Sequence, residues 1–406
     1  EYRFIRQYAD GPLYAPITGY YSRTQGMTGL EQAMNPELSG LGGSQFFTRI
    51  VRTITGERPQ GSSIETTIDP AVQQAAAAAM AGYEGAVVAL DPATGRVLAM
   101  VSTPSFDPNL LSTNNDAEII TNYRQLEADE TQPLLNRAIG GDLYHPGSTY
   151  KLLTAAAAIE SGAATPESTY DNPATLQLPQ SNAIMQNASR TTCGAGETVS
   201  LTQAMIYSCN IPFAELAISM DRNVVPEMAR AFGFDQELAI PLAVTPSTSP
   251  QPMDSAQAAL ASIGQLDVRS TPLQMAMVSA GIANGGEVMK PYLVDRVIAP
   301  DLRVDQQFEP EVLSTPISPA TAAALSGMME RVVGDADGTG HLAAIPGVRV
   351  AGKTGTAENG VDANGADRPF TLWYTGFAPV DNPKVAIAVV IANGGGAAQG
   401  FLGSSY

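Results

Sequence analysis

Strand-like segments lie near both ends of this chain, and a long helix-rich segment separates them. Residues 85–90 and 96–101 are short and apolar, and the Asp-Pro-Ala-Thr-Gly turn between them predicts a hairpin. Near the C-terminal end, three segments predict successive antiparallel strands. These segments are residues 348–357, 371–377 and 384–392. This order favours one sheet that receives strands from both ends of the chain, with a helical lobe inserted.

The predicted fold class is therefore α+β, an antiparallel sheet flanked by helices with an inserted all-helical lobe. The lobe is expected to occupy residues 148–340, with polar loops near 163–200 and 236–255. Apolar periodicity predicts four helical segments in this region. They are residues 201–207, 212–220, 225–232 and 272–283. A cleft is expected where the sheet and the lobe meet.

A change in sequence character near residue 64 predicts two domains. Residues 1–63 are rich in Gly, Tyr and Thr, and we expect short strands, turns and one amphipathic helix near 43–55. We interpret them as a small N-terminal docking or dimerisation-like module. Residues 64–406 form the second predicted domain. It opens with a β-branched strand, and Asp69 and Pro70 are favoured as the N-cap and first residue of an Ala-rich helix.

The net charge and the small number of metal-ligating residues argue against two functional classes, nucleic-acid-binding proteins and zinc proteins. A formal net charge of −18 argues against nucleic-acid binding, because phosphate backbones are bound by clustered Lys and Arg. Two cysteines and two histidines are too few for a typical zinc site, so we expect neither a metal nor a cofactor. Cys193 and Cys209 can form one disulfide or remain as two buried thiols.

Ser148 and Lys151 are the first candidate pair for chemistry. Pro146 and Gly147 predict a turn, and the Ala- and Leu-rich residues after them predict a helix that ends near Gly162. Residues three apart on a helix share a face, so the Lys151 amine can reach the Ser148 hydroxyl. A lysine deprotonates a serine only when burial or a second cation disfavours its charged form. Ser-x-x-Lys is common by chance, so the pair alone does not identify an enzyme.

Two later motifs add the other groups that acyl transfer needs. Ser208 and Asn210 offer a hydroxyl that can relay a proton and an amide that can hold a carbonyl. The run Lys353-Thr354-Gly355-Thr356 lies in the first C-terminal strand, where glycine lets a second backbone approach. Together, a base-activated serine, backbone N–H groups around an oxyanion and a relaying hydroxyl predict acyl transfer through a covalent acyl-enzyme.

In this order the three motifs resemble the signature of penicillin-binding proteins and serine β-lactamases. The flanking sequence resembles the transpeptidase domain of class B penicillin-binding proteins, and the likeness covers residues 64–392. It rests on these further segments: 67–70, 88–95, 106–109, 146–151, 263–265, 271–276 and 376–379. Residues 14–22 are similar to the small actinobacterial members of that class.

The resemblance implies a role for each motif residue. Ser148 would be the acylated nucleophile, Lys151 its general base and Ser208 the proton relay. The N–H groups of Ser148 and Thr356 would form the oxyanion hole.

The implied substrate is the D-Ala-D-Ala end of a peptidoglycan stem peptide, from which D-Ala leaves and to which the amine of a neighbouring stem peptide is joined. Asn210 would bind the donor amide, and Lys353, Thr354, Gly355 and Thr356 would bind its terminal carboxylate. β-Lactams mimic this end and would acylate the same serine.

Other activities share these motifs and stay open. A serine β-lactamase needs an activated water for deacylation, and the acid nearest downstream of Lys151 is Glu160, which we expect to be solvated at the helix end. A β-lactam sensor or silent docking protein would be acylated without turnover. A D,D-carboxypeptidase differs only in using water as the acceptor.

The resemblance also implies partners and a location. No glycosyltransferase motif is present, so a glycosyltransferase or divisome partner would polymerise the glycan in cell-wall synthesis and cell division. No apolar run reaches the roughly 20 residues that span a bilayer. Because the chain begins at Glu1 without a methionine, we expect a membrane anchor removed from its start and an extracytoplasmic location.

Three features concern the surroundings of the motifs. His145 differs from the residue found in many relatives, and we expect it to pack or to form a loop hydrogen bond. A Cys193–Cys209 disulfide would fix a loop beside the cleft, which fits the implied compartment. After the last strand, the Gly-rich residues 394–406 are too short for the terminal helix of relatives, so either that helix is missing or the outer sheet face is covered in another way.

Overall fold

The computed structural model describes residues 5–42 and 60–395, apart from residues 142, 252, 363 and 367. Its central element is a five-stranded antiparallel sheet built by both ends of the chain, as predicted. In spatial order the strands are Ala351–Ala357, Thr371–Ala378, Val385–Ile391, Gly85–Leu90 and Val97–Thr103. Pairing of the third strand with the fourth joins the C-terminal hairpins to the N-terminal one.

Helices cover the two faces of this sheet. Strand Val385–Ile391 alternates between buried and half-buried residues, and its buried side packs against the buried helix Pro272–Ala283. Helix Pro70–Ala79 packs on the opposite face over Val97–Thr103. The predicted N-cap of this second helix is present, because the Asp69 carboxylate accepts hydrogen bonds from two N–H groups of the first turn.

The inserted lobe contains the predicted helices 201–207, 212–220 and 225–232 with ends displaced by at most one residue, and also two helices that were not predicted, Ser255–Ala261 and Pro319–Gly334. The helices of the lobe are Lys151–Glu160, Leu201–Ile206, Ile211–Ser219, Val224–Ala231, Ser255–Ala261 and Pro319–Gly334. The predicted loops also contain short strand pairs, which are Thr169–Asp171 with Thr198–Ser200, Thr175–Gln177 with Ile184–Gln186, and Leu238–Ala239 with Ala243–Val244. Segments of two or three residues are too short to show a strand period in the sequence.

Residues 148–340 contain the predicted helices, but they also contain strands of a sheet that was not predicted. Strands Val294–Ile298 and Val304–Gln307 form a second sheet with Ser63–Thr66. The strand predicted near residue 64 therefore exists, but it pairs here rather than in the central sheet. Strand Val288–Met289 pairs with Val312–Ser314 in the same region. Pairing between segments so distant in sequence leaves no local signal.

Two boundaries differ from the prediction by three residues, and one helix before the lobe was not predicted. Residues Gly147–Tyr150 form a 3₁₀ turn, and the α-helix begins only at Lys151. The edge strand begins at Ala351 rather than 348, because Ile345 and Val348 form a separate bridge. Helix Asp116–Ala128 was not predicted, and its polar sequence has little apolar periodicity.

The N-terminal segment contains short elements, as expected. They are helices Gly11–Thr18, Gly29–Ala33 and Asn35–Leu38 and the hairpin Tyr21–Ser22 with Gly26–Met27. It contacts the rest of the chain through polar groups: the fully buried amide of Gln73 donates to Leu13 O (3.0 Å) and Met100 O (3.0 Å). The helix expected near 43–55 and residues 396–406 lie outside the described residues. Within the described ranges, no helix combines the length and apolar character that a membrane span requires.

Candidate active site

Ser148 is half-buried in a turn that two other backbone segments contact closely. The N–H of Gly147 donates to Gly264 O (3.1 Å). A Cβ atom on Gly264 would lie 2.2 Å from Gly147 O, and one on Gly355 would lie 2.9 Å from Pro146 O. Side chains at these two glycines would displace the turn. The close backbone approach predicted at Gly355 is therefore present.

The Lys151 side chain is fully buried and reaches into the second motif. Its ammonium donates to Ser208 O (2.8 Å) and Asn210 Oδ1 (2.8 Å), and it lies 5.5 Å above the Phe213 ring. Among the hydrogen bonds of the described residues there is none between Lys151 and the Ser148 hydroxyl, although the sequence allowed one. The 3₁₀ turn before Lys151 replaces the α-helical spacing on which that expectation depended.

Burial lowers the pKa of the Lys151 ammonium well below its usual value, and the nearby positive charge of Lys353 lowers it further. Burial also lowers the pKa of Lys353 from 10.5 to about 7. The condition set for a lysine base, burial together with a second cation, is present here. Neutral Lys151 can accept a proton.

Ser208 lies between the two lysines. Its hydroxyl accepts a hydrogen bond of 2.8 Å from Lys353 Nζ and lies 3.5 Å from Lys151 Nζ. Its backbone adopts a left-handed conformation with φ of +58°, which is uncommon for a residue with a side chain. This conformation ends helix Leu201–Ile206 and turns the carbonyl and the hydroxyl of Ser208 toward the lysines.

Asn210 and Cys209 complete the second motif. The Asn210 amide accepts from Lys151 through Oδ1 and donates to Gln186 O through Nδ2 (2.8 Å). Cys209 is bonded to Cys193 in a disulfide with a Cα–Cα distance of 5.7 Å. Of the two states considered for the cysteines, the structure has the disulfide.

The edge strand Ala351–Ala357 presents its motif on both faces. Lys353 is fully buried on the side of the lysine pair, whereas Thr354 and Thr356 are half-buried. The Lys353 ammonium also donates to Thr354 O (2.9 Å), and the Thr354 hydroxyl donates to the Thr339 hydroxyl (2.8 Å). As neighbours on a strand, Lys353 and Thr354 point to opposite sides of it.

Some residues around the motifs were not predicted as part of the site. Thr339 contacts the motif hydroxyl of Thr354, and Asn187 contacts the backbone of Asn210 (2.8 Å). A lone threonine or asparagine in a polar loop has no local pattern that distinguishes it from a turn residue. Only spatial proximity identifies them.

Two neighbouring residues were correctly interpreted from the sequence. His145 takes part in a loop network, in which its ring contacts Val268 O (3.1 Å) and Arg269 and its carbonyl accepts from Trp373 Nε1 (2.9 Å). Glu160 is exposed and accepts from the N–H (2.9 Å) and hydroxyl (3.0 Å) of Ser318. It therefore contacts Ser318, the N-cap residue of helix Pro319–Gly334, and makes no contact with Lys151 that would supply a deacylation base.

The geometry allows one kind of chemistry. The Ser208 hydroxyl lies between two buried amines of lowered pKa, Lys151 and Lys353, beside an open strand edge. The nucleophile candidate Ser148 lies in the adjoining turn. These groups can transfer protons and hold an extended chain beside the hydroxyl. Within the described ranges, no cluster of His, Cys, Asp and Glu has the arrangement of a metal site.

Comparisons with known proteins identify relatives for the whole chain. The family described as penicillin binding protein transpeptidase domain matches residues 85–404, and the family described as penicillin binding protein A dimerisation domain matches residues 1–64. A Mycolicibacterium smegmatis protein named peptidoglycan D,D-transpeptidase PbpA is 44% identical over 97% of this chain and 80% of that protein. The Mycobacterium tuberculosis protein of the same name is 42% identical, with the same coverage.

Solved structures are similar over the same extent. Penicillin-binding protein A from M. tuberculosis, as its ceftriaxone acyl-enzyme complex, has a TM-score of 0.91 and 40% identity over 99% of this chain and 92% of that chain. Its penicillin G acyl-enzyme complex has a TM-score of 0.90 and 42% identity over 97% of this chain and 89% of that chain.

Proposed function

Because the chain belongs to the penicillin-binding protein transpeptidase family, we propose a role for each site residue in the reaction of that family. The protein is a serine-type peptidoglycan D,D-transpeptidase, which β-lactams acylate and inhibit. It cross-links stem peptides through an acyl-enzyme formed on D-Ala-D-Ala, with release of D-Ala. The observation that carries the residue roles is the meeting of Lys151, Ser208 and Lys353 in one buried hydrogen-bonded group.

Ser148 is proposed as the nucleophile and Lys151 as its general base. The bond between Ser148 Oγ and the donor carbonyl carbon forms while Lys151 accepts the hydroxyl proton. The support for this role is the pKa of Lys151, which burial and Lys353 lower well below its usual value, a shift that favours the neutral amine.

The oxyanion is proposed to bind the N–H groups of Ser148 and Thr356. Their closeness is supported by the packing of the turn on the edge strand, because a Cβ atom on Gly147 would lie 2.7 Å from Thr356 O. Two N–H groups on rigid, packed backbone are oriented before the reaction begins. Such preorganised donors stabilise the charge that develops in the transition state.

Ser208 is proposed to carry the proton to the leaving amine of D-Ala as the peptide C–N bond breaks. Its hydroxyl lies 3.5 Å from Lys151 Nζ and 2.8 Å from Lys353 Nζ, which places it between the base and the substrate side of the edge strand. Asn210 is proposed to hold the donor amide. In deacylation the acceptor amine attacks the ester and its proton returns along the same groups.

The terminal carboxylate of the donor is proposed to bind Lys353, Thr354, Gly355 and Thr356. Lys353 has a pKa of about 7 in the absence of substrate, because it is buried. An arriving carboxylate favours its protonated form, so substrate binding and Lys353 protonation are coupled. Gly355 keeps the strand close to the turn that carries the nucleophile.

The peptidoglycan substrate locates the enzyme outside the cytoplasm. We propose that a membrane anchor holds it there and that a glycosyltransferase or divisome partner supplies the glycan strands. We also propose two domains, residues 1–63 for docking or dimerisation and 64–406 for transpeptidation. The match to a dimerisation family that ends at residue 64 supports this division.

Intact mass spectrometry with benzylpenicillin tests the proposal. The parent should gain one penicilloyl group, Ser148→Ala should gain none, and Ser219→Ala should behave as the parent because its hydroxyl only donates to Leu216 O. An adduct on Ser148→Ala would overturn the assignment of the nucleophile. An adduct that disappears within seconds would indicate a β-lactamase, and a donor peptide that is hydrolysed but never joined to an amine would indicate a carboxypeptidase.

A further inference from the structure

Asn210 occupies the position from which a residue normally caps the helix that follows. It directly precedes helix Ile211–Ser219, and Asn is one of the best N-cap residues. Yet its side chain makes no capping hydrogen bond. Instead, its Oδ1 accepts from Lys151 Nζ (2.8 Å) and its Nδ2 donates to Gln186 O (2.8 Å). The N–H groups at this helix end therefore need another acceptor.

Asn187, which is 23 positions earlier in the sequence, supplies that acceptor. Its Oδ1 accepts from Asn210 N (2.8 Å) and from Ile211 N (3.3 Å). The next helical residue, Pro212, has no N–H to satisfy. One side chain outside the helix thus satisfies both donors at its entrance.

The Asn187 amide is itself fixed. The residue is 3% exposed, and its side-chain Nδ2 donates to Thr191 O (3.0 Å). Its backbone carbonyl accepts from Arg190 N (2.8 Å). A buried acceptor held from both sides cannot be replaced by water without rearranging the loop. The position of the Asn210 backbone is therefore determined by Asn187.

We propose that Asn187 is a positioning residue of the transpeptidase site, which accepts from the N–H groups of Asn210 and Ile211 at the entrance of helix Ile211–Ser219 and so holds the Asn210 side chain in place for Lys151 and the donor amide. This inference rests on the roles given above to Asn210 and Lys151. If Asn187 were absent, the N–H groups of Asn210 and Ile211 would lose their acceptor, and the backbone that carries the Asn210 side chain would shift. Such a shift would withdraw Oδ1 from Lys151.

Asn172 provides a matched control in the same region. It is 5% exposed, and its amide accepts from Cys193 N (2.8 Å) and donates to Cys193 O (2.9 Å) and Gly196 O (3.0 Å). Its loss would loosen the loop without removing an acceptor from the Asn210 backbone. Asn172→Leu therefore reports loop stability, and Asn187→Leu reports loop stability together with the cap.

The test measures the rate of acylation by a fluorescent penicillin as a function of pH on the full chain. Asn187→Leu should lower the rate about 100-fold, because the groups around the nucleophile are displaced. The acid limb of its profile should move to lower pH, because Lys151 loses an acceptor that favours its charged form. Lys353, the charged group that faces Lys151, is unchanged in every variant. Asn172→Leu should leave the acid limb where the parent has it.

Asn187→Asp separates the cap from the rest of the loop. It keeps an oxygen for the two N–H groups, but it loses the donor to Thr191 O and adds a carboxylate, so its rate should fall yet stay within about tenfold of the parent. If it loses as much activity as Asn187→Leu, or if Asn187→Leu and Asn172→Leu have the same profile, the inference is wrong. Should Asn187→Leu fail to fold, the Asp variant decides alone. A parent that is never acylated would overturn the proposed function, and with it this inference.

Discussion

The ammonium of Lys353 donates a hydrogen bond of 2.8 Å to the hydroxyl of Ser208, although 145 positions separate them in the sequence. The same hydroxyl lies 3.5 Å from Lys151 Nζ, so two buried amines meet at one serine. Two positive charges so close and so far from water are unfavourable. The arrangement therefore lowers the pKa of Lys151 and favours the neutral form that the proposed general base requires.

The acylation rate of the parent should rise with pH through the lowered pKa of Lys151 and level off well below pH 10. In Lys353→Met the acid limb should move to higher pH, because the cation that helps to lower the pKa of Lys151 is removed. At pH 7 the rate should fall about tenfold or more. Stopped-flow acylation by a chromogenic cephalosporin measures both effects.

Lys290→Met is the control for this charge change, because Lys290 is an exposed lysine paired with Glu311. It removes the same charge far from the buried pair and should leave the acid limb unchanged. An acid limb that moves to lower pH in Lys353→Met would contradict the proposed coupling between the lysines.

Lys353→Met should also change how stability depends on pH. The pKa of Lys353 is about 7 in the folded chain and near 10.4 when unfolded, so the unfolded chain binds more protons between these values. Burial of Lys353 therefore destabilises the folded chain most below pH 7, and this destabilisation disappears as pH rises toward 10. The stability gained by Lys353→Met should decline by up to about 4 kcal/mol over this interval.

Urea unfolding of both proteins at pH 6 and pH 9.5 measures this difference. Contributions from groups that the substitution leaves unchanged cancel in the comparison of parent and variant. A difference in stability that is the same at both pH values would show that Lys353 is not perturbed by burial.

Removal of the Cys193–Cys209 disulfide should destabilise the protein. The bond closes a loop with a sequence separation of 16, and a loop of this size corresponds to about 3 kcal/mol through the entropy of the unfolded chain. Because Cys209 lies between Ser208 and Asn210, acylation should also slow, by about tenfold. The variant that carries both Cys193→Ser and Cys209→Ser is measured by thermal unfolding and penicillin labelling. The reduced parent should match it, and the double variant should not respond to reductant.

Gly264→Ala should damage both stability and acylation. The residue has a φ of +73°, and its new Cβ would lie 2.2 Å from Gly147 O, beside the nucleophile turn. Backbone strain and overpacking together should cost about 3 kcal/mol, and the displaced Ser148 should be acylated about 100-fold more slowly. Chemical denaturation and the labelling assay give the two quantities.

Gly285→Ala is the matched control for this substitution. Its φ of +67° is similar, but a Cβ atom there has no neighbour within 4 Å. It should cost only about 1–2 kcal/mol of strain and leave acylation unchanged. Equal losses in the two variants would show that the close approach at Gly264 is unimportant.

Much of the fold could be predicted because its signals are local. Asp69 and Pro70 begin a helix where their capping chemistry indicates, and the buried helix Pro272–Ala283 has the predicted limits, with the Thr271 hydroxyl accepting from Gln274 N (3.0 Å). The apolar run 384–392 likewise predicted strand Val385–Ile391, although only the structure shows which side of it faces the core. The second sheet was missed because Ser63–Thr66 and Val294–Ile298 find each other only after the chain has folded.

The candidate site divides in the same way. Residue types at 148, 151, 208, 210 and 353–356 could be selected from their spacing and from family resemblance. Their environment could not, because the neutral state of Lys151 depends on how completely distant segments exclude water and on where Lys353 comes to rest. Nor could the cap on the Asn210 backbone, since an asparagine at 187 looks like any loop residue until helix Ile211–Ser219 packs against it.

By itself, the sequence determined which groups are available for chemistry and which local segments become helix or strand, because propensity, capping and periodicity act over a few residues. Only the tertiary structure decided which amine loses its charge, which hydroxyl lies between the two amines and which side chain caps which helix. Desolvation and hydrogen bonding depend on neighbours in space, and here those neighbours come from segments far apart along the chain.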